Sequence, residues 1–220
     1  EIRTPMNGIL GFANLLNQPD LTGEKRDKFI ELIQRSGERM LMIINDLLDI
    51  AKIESGHVEL TVHDTHINEI IDDLAVLFTP EAQLKGLDLM ASKALESREA
   101  VIRTDEIKLN QVLSNLLKNA IKYTESGKIE FGYLLNSDRS LQFYVSDTGI
   151  GIPEELQKAI FERFRQGEFG LTRSFEGAGL GLSISKAYVE MLGGEMFLIS
   201  VPGKGSRFYF NLPVSWHGDS

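Results

Sequence analysis

The 220-residue sequence predicts an α+β protein, a helical hairpin followed by a two-layer α/β sandwich. Three observations carry this. Up to Gly56, apolar residues recur at helical spacing in two stretches separated by "NQPD". Beyond Gly56, short alternating segments are interleaved with amphipathic helical stretches. Two of those segments, "KIEFGYLL" and "SLQFYVSD", are joined only by "NSDR", as in an antiparallel pair. Helices mixed with antiparallel strands suggest two packed layers.

In the first stretch, residues 1–17, Glu1, Ile2, Met6, Ile9 and Leu10 recur at helical spacing. Pro5 is expected to kink or end that helix, because it lacks a donor N–H and crowds the carbonyl one turn back. Pro19 marks a turn, and Thr22 offers an N-cap. From about 24 to 55, the residues Phe29, Ile33, Met40, Ile43, Ile44, Leu47, Ile50, Ala51 and Ile53 hold one stripe, which Gly56 ends. Two antiparallel helices cannot bury such a stripe alone. Either the hairpin packs on the rest of the chain or it dimerises into a four-helix bundle, and the second is the reading adopted.

"HVELTVHDTHI" reads as a strand leading to a helix entry near Asn68, and "LDLMAS" and "AVIRTD" read as strands. "EIKLNQVLSNLLKNAIKY" is strongly amphipathic, with Ile107, Val112, Leu113, Leu116, Leu117 and Ala120 along one face. A further helix, "LGLSISKAYVEMLGG", precedes the strands "EMFLIS" and "RFYFNLP".

Composition narrows the function. With 42% hydrophobic and 25% charged residues, the chain has the make-up of a globular domain. No apolar run reaches the roughly 18–20 residues of a membrane span, and no signal peptide is present, so any anchor of a parent protein would lie outside this portion. The absence of cysteine excludes disulfides and thiolate metal sites and fits a reducing compartment. A net charge of −9 argues against nucleic acid as the main partner. A nucleotide needs only a local site. His57, His63, His66 and His217 show no metal-ligand spacing, and His63 and His66 read as surface residues.

Three glycine-bearing segments carry the chemistry: "DTGIGIP" (147–153), "GAGLGLS" (177–183) and "GKGSRF" (203–208). The second is not a P-loop, since no Lys-Ser/Thr follows, nor a dinucleotide fingerprint, since no strand leads directly into it. It suits a helix N-terminus, whose free N–H groups can hold phosphate. Asp147 closes an apolar strand beside Gly149 and Gly151, giving a buried acceptor for an exocyclic amine such as that of adenine. Asn115 and Asn119 project from one helix face a turn apart. On spacing alone, two uses stay open for these amides: capping or bridging neighbouring elements, or facing phosphates, with Asn119 lending its carbonyl to Mg²⁺ and Lys122 meeting a phosphate. The glycine segments favour the second.

Taken in order, the Asn helix, Asp-x-Gly-x-Gly, "IFERFRQ" (160–166), Gly-x-Gly-Leu-Gly-Leu and Gly-x-Gly-Ser resemble the asparagine, first glycine, phenylalanine, second glycine and third glycine boxes of bacterial sensor histidine kinases. Their nucleotide-binding part has the Bergerat ATPase fold, shared with gyrase, heat-shock chaperone and mismatch-repair ATPases. The resemblance implies that Asp147 binds the adenine amine, with Gly149, Gly151 and Ile152 shaping its pocket. It implies that Asn115 and Asn119 face the phosphates of ATP, Asn119 holding Mg²⁺, and that Lys122 and Tyr123 flank the nucleotide. Residues from about 163 to 176 would form a mobile lid, closed at its far end by Gly177, Gly179, Leu180, Gly181 and Leu182, with Ser206 near the base. Phe161 and Phe164 would serve the phenylalanine box and the core alike.

"EIRTPMNGI" resembles the family's phosphoacceptor box, His-Glu-x-x-Thr-Pro, from its second residue onward. The resemblance places the acceptor histidine just upstream of residue 1. Glu1 would accept the imidazole proton, and Thr4 would position a water in kinases that also dephosphorylate their partner. Plain helix-surface chemistry is the other use open to both. The implied organisation is a dimerisation and phosphotransfer hairpin over 1–56 and a catalytic ATP-binding domain over 57–216. The implied function is an autokinase that forms a homodimer through its hairpin and passes a phosphoryl group to an aspartate of a response-regulator receiver domain. This portion would be cytoplasmic. A clamp-type ATPase of the same fold and a non-catalytic docking module are the alternatives; "EIRTP" weighs against the first, and the intact Asn119, Asp147 and glycines against the second.

Overall fold

The computed structural model describes residues 2–18, 21–138, 140–163, 179–213 and 215–216. The chain divides into two compact units, Glu1–Val58 and Glu59–Ser220.

The first unit is a hairpin of α1 (Arg3–Leu16) and α2 (Gly23–Glu54). Phe12 stacks on Phe29 with ring centroids 5.8 Å apart, and Gly8 lies against Ser36, so the two helices run antiparallel. Pro5 does not end α1. It is buried in the first turn, where a backbone N–H would have no partner within the helix. Thr22 stands at the N-cap of α2, but its side chain makes no capping bond; its carbonyl accepts the Arg26 N–H at 3.0 Å. Ile43 and Ile50 are buried along α2, whereas Ala51, expected on the same stripe, is exposed. Met6, Leu10, Leu41, Met42 and Leu48 are exposed apolar residues.

The second unit runs β1 (His63–His66), α3 (Ile67–Leu84), β2 (Leu87–Ser92), β3 (Val101–Thr104), α4 (Glu106–Tyr123), β4 (Gly127–Leu135), β5 (Leu141–Asp147), α5 (Glu154–Gln157), a 3-10 turn (Ala159–Phe161), α6 (Gly181–Met191), β6 (Glu195–Val201), β7 (Gly205–Leu212) and β8 (Ser215–Trp216). The strand expected from His57 onward forms only from His63, where β3 supplies an antiparallel partner. His63 and His66 are exposed.

A five-stranded sheet has the order β2-β4-β5-β7-β6. Its β2–β4 pair is parallel and the others are antiparallel. A smaller sheet, β1-β3-β8, is antiparallel. One face of the large sheet is covered by α3, α4 and α6, the second layer of an α+β sandwich. Ile129, Phe131, Tyr133, Phe143, Val145, Phe208, Phe210 and Leu212 alternate along β4, β5 and β7 into the buried layer. Phe143 stacks on Phe210 at 5.2 Å.

Helix α4 buries Leu109, Val112, Leu113, Leu116, Leu117, Ala120 and Ile121. Ile107, assigned to that face from sequence, is instead 69% exposed. It lies two residues from Leu109, about 200° around the helix, and so on the opposite side. The Asp105 side chain caps the helix, its Oδ1 accepting the Lys108 N–H at 3.0 Å. Its Oδ2 accepts the Thr61 N–H at 2.9 Å, fastening the approach to β1 onto the start of α4.

Candidate nucleotide site

Strand β5 delivers Asp147 at its end, where the chain leaves the sheet. The carboxylate is half-buried, and its Oδ1 accepts the backbone N–H of Gly149 at 2.8 Å and of Ser206 at 3.2 Å. Among the described residues, none donates a hydrogen bond to Oδ2. Burial raises the carboxyl pKa above its ordinary value, against the lowering effect of the two N–H groups. Asp147 thus has one oxygen fixed by the backbone and one available as an acceptor in a poorly solvated position.

The loop after Asp147 is pressed closely against its neighbours. A Cβ on Gly149 would overlap the Tyr123 carbonyl oxygen, which also accepts the Ile150 N–H at 3.2 Å. Gly151 has φ +68° and lies against the Val201 carbonyl, so this position excludes a side chain on two counts. The Ile152 N–H donates to Ser200 Oγ at 2.8 Å.

Helix α4 carries the polar face. Asn115 Nδ2 donates to Ser185 Oγ at 2.8 Å, and the Asn115 carboxamide lies where a Cβ on Gly181 would be. Asn115 therefore bridges α4 to the first turns of α6. Asn119, one turn further, is half-buried, and its carboxamide makes no hydrogen bond among the described residues. Lys122 Nζ sits 4.7 Å from the centroid of the Tyr123 ring. Gly179 and Leu180 precede α6, and Gly181 and Leu182 open it.

No cluster of three or more His, Asp or Glu side chains suited to a metal occurs among the described residues. A magnesium ion here would therefore take a minority of its ligands from protein. One unengaged amide oxygen at Asn119, completed by phosphate oxygens and waters, fits that requirement.

Of the residues singled out from sequence, hydrogen bonds and close packing join Asp147, Gly149 and Ser206, then Tyr123 with Gly149, then Asn115 with Gly181. Thr4 is exposed on α1, in the other unit. Glu1, Phe164, Gly177 and the expected lid from residue 164 onward lie outside the described residues. Phe161 packs edge-on against Phe208 at 6.3 Å. Three participants were not anticipated: Asp105, Ser185 and Ser200. Ser185 was accessible to inspection, as a polar residue on the inward face of "GLSISKAYVEM". Ser200 was not, since its role depends on a neighbouring hairpin strand.

This arrangement defines a class. The family described as "Histidine kinase-, DNA gyrase B-, and HSP90-like ATPase" matches residues 104–215, and the chain belongs to it. The "His Kinase A (phospho-acceptor) domain" matches residues 1–56. Together they make the chain a sensor histidine kinase catalytic core. The autoinducer 2 sensor kinase/phosphatase LuxQ of Vibrio cholerae is 38% identical over 217 residues, covering 97% of this chain and 25% of LuxQ. The chain thus spans about a quarter of the length of that relative. Among solved structures, full-length ShkA in complex with AMPPNP is 31% identical with a TM-score of 0.77, covering 98% of this chain and 44% of ShkA. The histidine kinase ThkA in complex with the response regulator TrrA is 27% identical with a TM-score of 0.75, covering 97% of this chain and 59% of ThkA.

Proposed function

We propose that this chain is the autokinase core of a two-component sensor, binding ATP·Mg²⁺ in the second unit and phosphorylating a histidine of the helical hairpin. The observation that carries the reading is the Asp147 carboxylate, with one oxygen held by two backbone N–H groups and the other open. It is suited to an adenine amine, beside a loop that Gly149 and Gly151 allow to pack directly on the Tyr123 and Val201 carbonyls. Asn119 offers its oxygen toward the phosphates, and bound Mg²⁺ would neutralise their charge. Lys122 adds a positive charge, and Gly181 and Leu182 present the start of a helix, where N–H groups favour anions. These parts bind and orient; the domain contributes positioning and electrostatics rather than covalent chemistry.

In the transfer, the imidazole nitrogen of the histidine expected directly before Glu1 forms a bond to the γ-phosphorus. The bond from that phosphorus to the bridging oxygen breaks, ADP leaves with the electron pair, and Glu1 takes the imidazole proton. Thr4 lies in the first turn of α1. The phosphoryl group then passes to an aspartate of a receiver domain, the class of partner seen with ThkA. The exposed apolar residues Leu41, Met42 and Leu48 of α2 support homodimerisation through the hairpin.

Incubation of the chain, extended upstream through the phosphoacceptor box, with γ-labelled ATP and Mg²⁺ tests the proposal. Acid-labile, base-stable label is expected, and Asn119→Ala should abolish both the label and Mg²⁺-dependent nucleotide binding. Nucleotide bound without label would overturn the kinase reading; unchanged affinity in Asn119→Ala would overturn the metal assignment.

A further inference from the structure

The loop carrying Gly149, Gly151 and Ile152 is held on several sides. Tyr123 accepts the Ile150 N–H at 3.2 Å, and the Ile150 carbonyl accepts the Gly203 N–H at 2.7 Å. Both bonds are main-chain and survive most substitutions. Besides the Gly149 N–H bond to Asp147, further support comes from two side chains outside the family's boxes. Ser200 Oγ on β6 accepts the Ile152 N–H at 2.8 Å, and Gln157 Nε2 donates to both the Ile152 and Ser200 carbonyls at 3.0 Å.

The Ser200 hydroxyl is fully used. It donates to the Gly205 carbonyl at 3.1 Å and stands 2.9 Å from Ser206 Oγ. A hydroxyl has one proton and two lone pairs. With its proton on Gly205 and one lone pair on Ile152, Ser200 can only accept from the Ser206 hydroxyl. Ser206 is the residue whose backbone N–H holds Asp147 Oδ1 at 3.2 Å. One hydroxyl therefore joins the far end of the loop to the residue that orients the carboxylate at its near end.

We propose that Ser200, braced by Gln157, is a positioning residue that sets adenine selectivity, fixing the distance between Asp147 and the opposite wall of the base pocket. This rests on the reading of Asp147 as the acceptor for the adenine amine. Removing the hydroxyl leaves the Ile152 N–H without its acceptor and takes from the Gly205 carbonyl its side-chain donor, so that support is lost at both ends of the loop together. The contact to suffer is the directional one, between the exocyclic amine and Asp147. Phosphate contacts from α4 and α6 do not pass through Ser200.

The test is calorimetric titration of the full chain with Mg·ADP and with Mg·IDP, whose base carries a carbonyl in place of the amine. Wild type should prefer ADP. Ser200→Ala should weaken ADP by about tenfold and IDP by less than about threefold, as expected when a hydrogen-bonding support is lost. Ser200→Thr, which keeps the hydroxyl, should restore the preference, and Gln157→Ala should show the same selective loss in smaller measure. A merely structural role predicts equal weakening of both ligands. An unchanged ADP-to-IDP ratio in Ser200→Ala would overturn the inference while leaving the Asp147 reading intact. If Ser200→Ala does not fold, an unchanged ratio in Gln157→Ala does the same. Wild type that fails to prefer ADP would overturn the Asp147 reading itself.

Discussion

Replacing Asp105 tests how the second unit is fastened at the start of its central helix. The residue is 3% exposed and uses both carboxylate oxygens, Oδ1 on the Lys108 N–H and Oδ2 on the Thr61 N–H. Losing an N-cap costs about 1 kcal/mol. A hydrogen bond to a charged acceptor is worth about 1.5–3 kcal/mol when buried, but Thr61 is exposed and water can replace its partner, so about 1 kcal/mol is the better figure. Asp105→Ala should therefore destabilise the unit by about 2 kcal/mol, lowering its melting temperature by about 4–8 °C for a domain of this size. Asp105→Asn keeps an oxygen for the cap but sets an amide against the Thr61 N–H, so it should lose about half as much. Near-ultraviolet circular dichroism isolates this unit, because all 5 tyrosines and the single tryptophan follow residue 58. A loss below about 0.5 kcal/mol in Asp105→Ala, or Asn behaving no better than Ala, would refute the reasoning.

Three further outcomes follow from the same geometry. The Glu106 carboxylate 3.1 Å from His63 Nε2 and the Thr61 carbonyl raise the His63 pKa, so this pair favours the folded state below the ordinary histidine value and loses that contribution as pH rises through the raised one; Glu106→Gln should lower the His63 midpoint in an NMR titration. Burial raises the Asp147 pKa, so ADP-over-IDP preference should fall away on acidification at a pH above the ordinary carboxylate range, with phosphate protonation cancelling between the ligands; the same shift means that ionised Asp147 weakens the fold at neutral pH, and Asp147→Asn should raise the melting temperature there while abolishing the preference. Gly181→Ala should drive a methyl into the Asn115 carboxamide and cost about 1–3 kcal/mol in urea unfolding, and Asn115→Ala in the same chain should recover part of that loss.

What could be read in advance followed from periodicity and short-range chemistry. Helix α4 was legible because its apolar residues recur over eighteen positions with no breaker, and β4 and β5 because a short polar link joins two alternating runs. Periodicity failed where it was thin. Ile107 was assigned to the buried face as the nearest apolar residue to the helix start, whereas the register is set by Leu109 and the residues after it. Pro5 was judged by what proline does inside a helix, yet it occupies a first turn, where that penalty does not arise. The strand at 57–62 had the right alternation but no partner until His63 meets β3, and a pairing partner is not a local property. The glycine segments and the two asparagines were legible as types; the side chains that hold them were not. Ser185, Ser200 and Asp105 act across 70, 48 and 44 residues of sequence, and only Ser185 is marked locally, by its inward position on a helix.

That difference bears on how the site is built. The groups without a hydrogen-bond partner among the described residues, Asp147 Oδ2 and the Asn119 carboxamide, are those whose identity alone advertises ligand binding. The residues that hold them carry saturated hydrogen bonds and ordinary side chains. Asn115 belongs to both groups by position, but its amide is already engaged with Ser185, which ties α4 to the α6 turn where Gly181 begins. Its first effect is thus to keep α4 and the start of α6 in register, and its oxygen and second amide N–H stay outside that bond. If so, Asn115→Ala, which removes the Ser185 bond without introducing a negative charge, should weaken nucleotide binding. Ser185→Ala should reproduce that weakening while leaving Asn119 untouched, and the double variant should be no worse than either single one. Additive losses in calorimetry would mean that Asn115 and Ser185 act separately, and the bridge would then be incidental to binding.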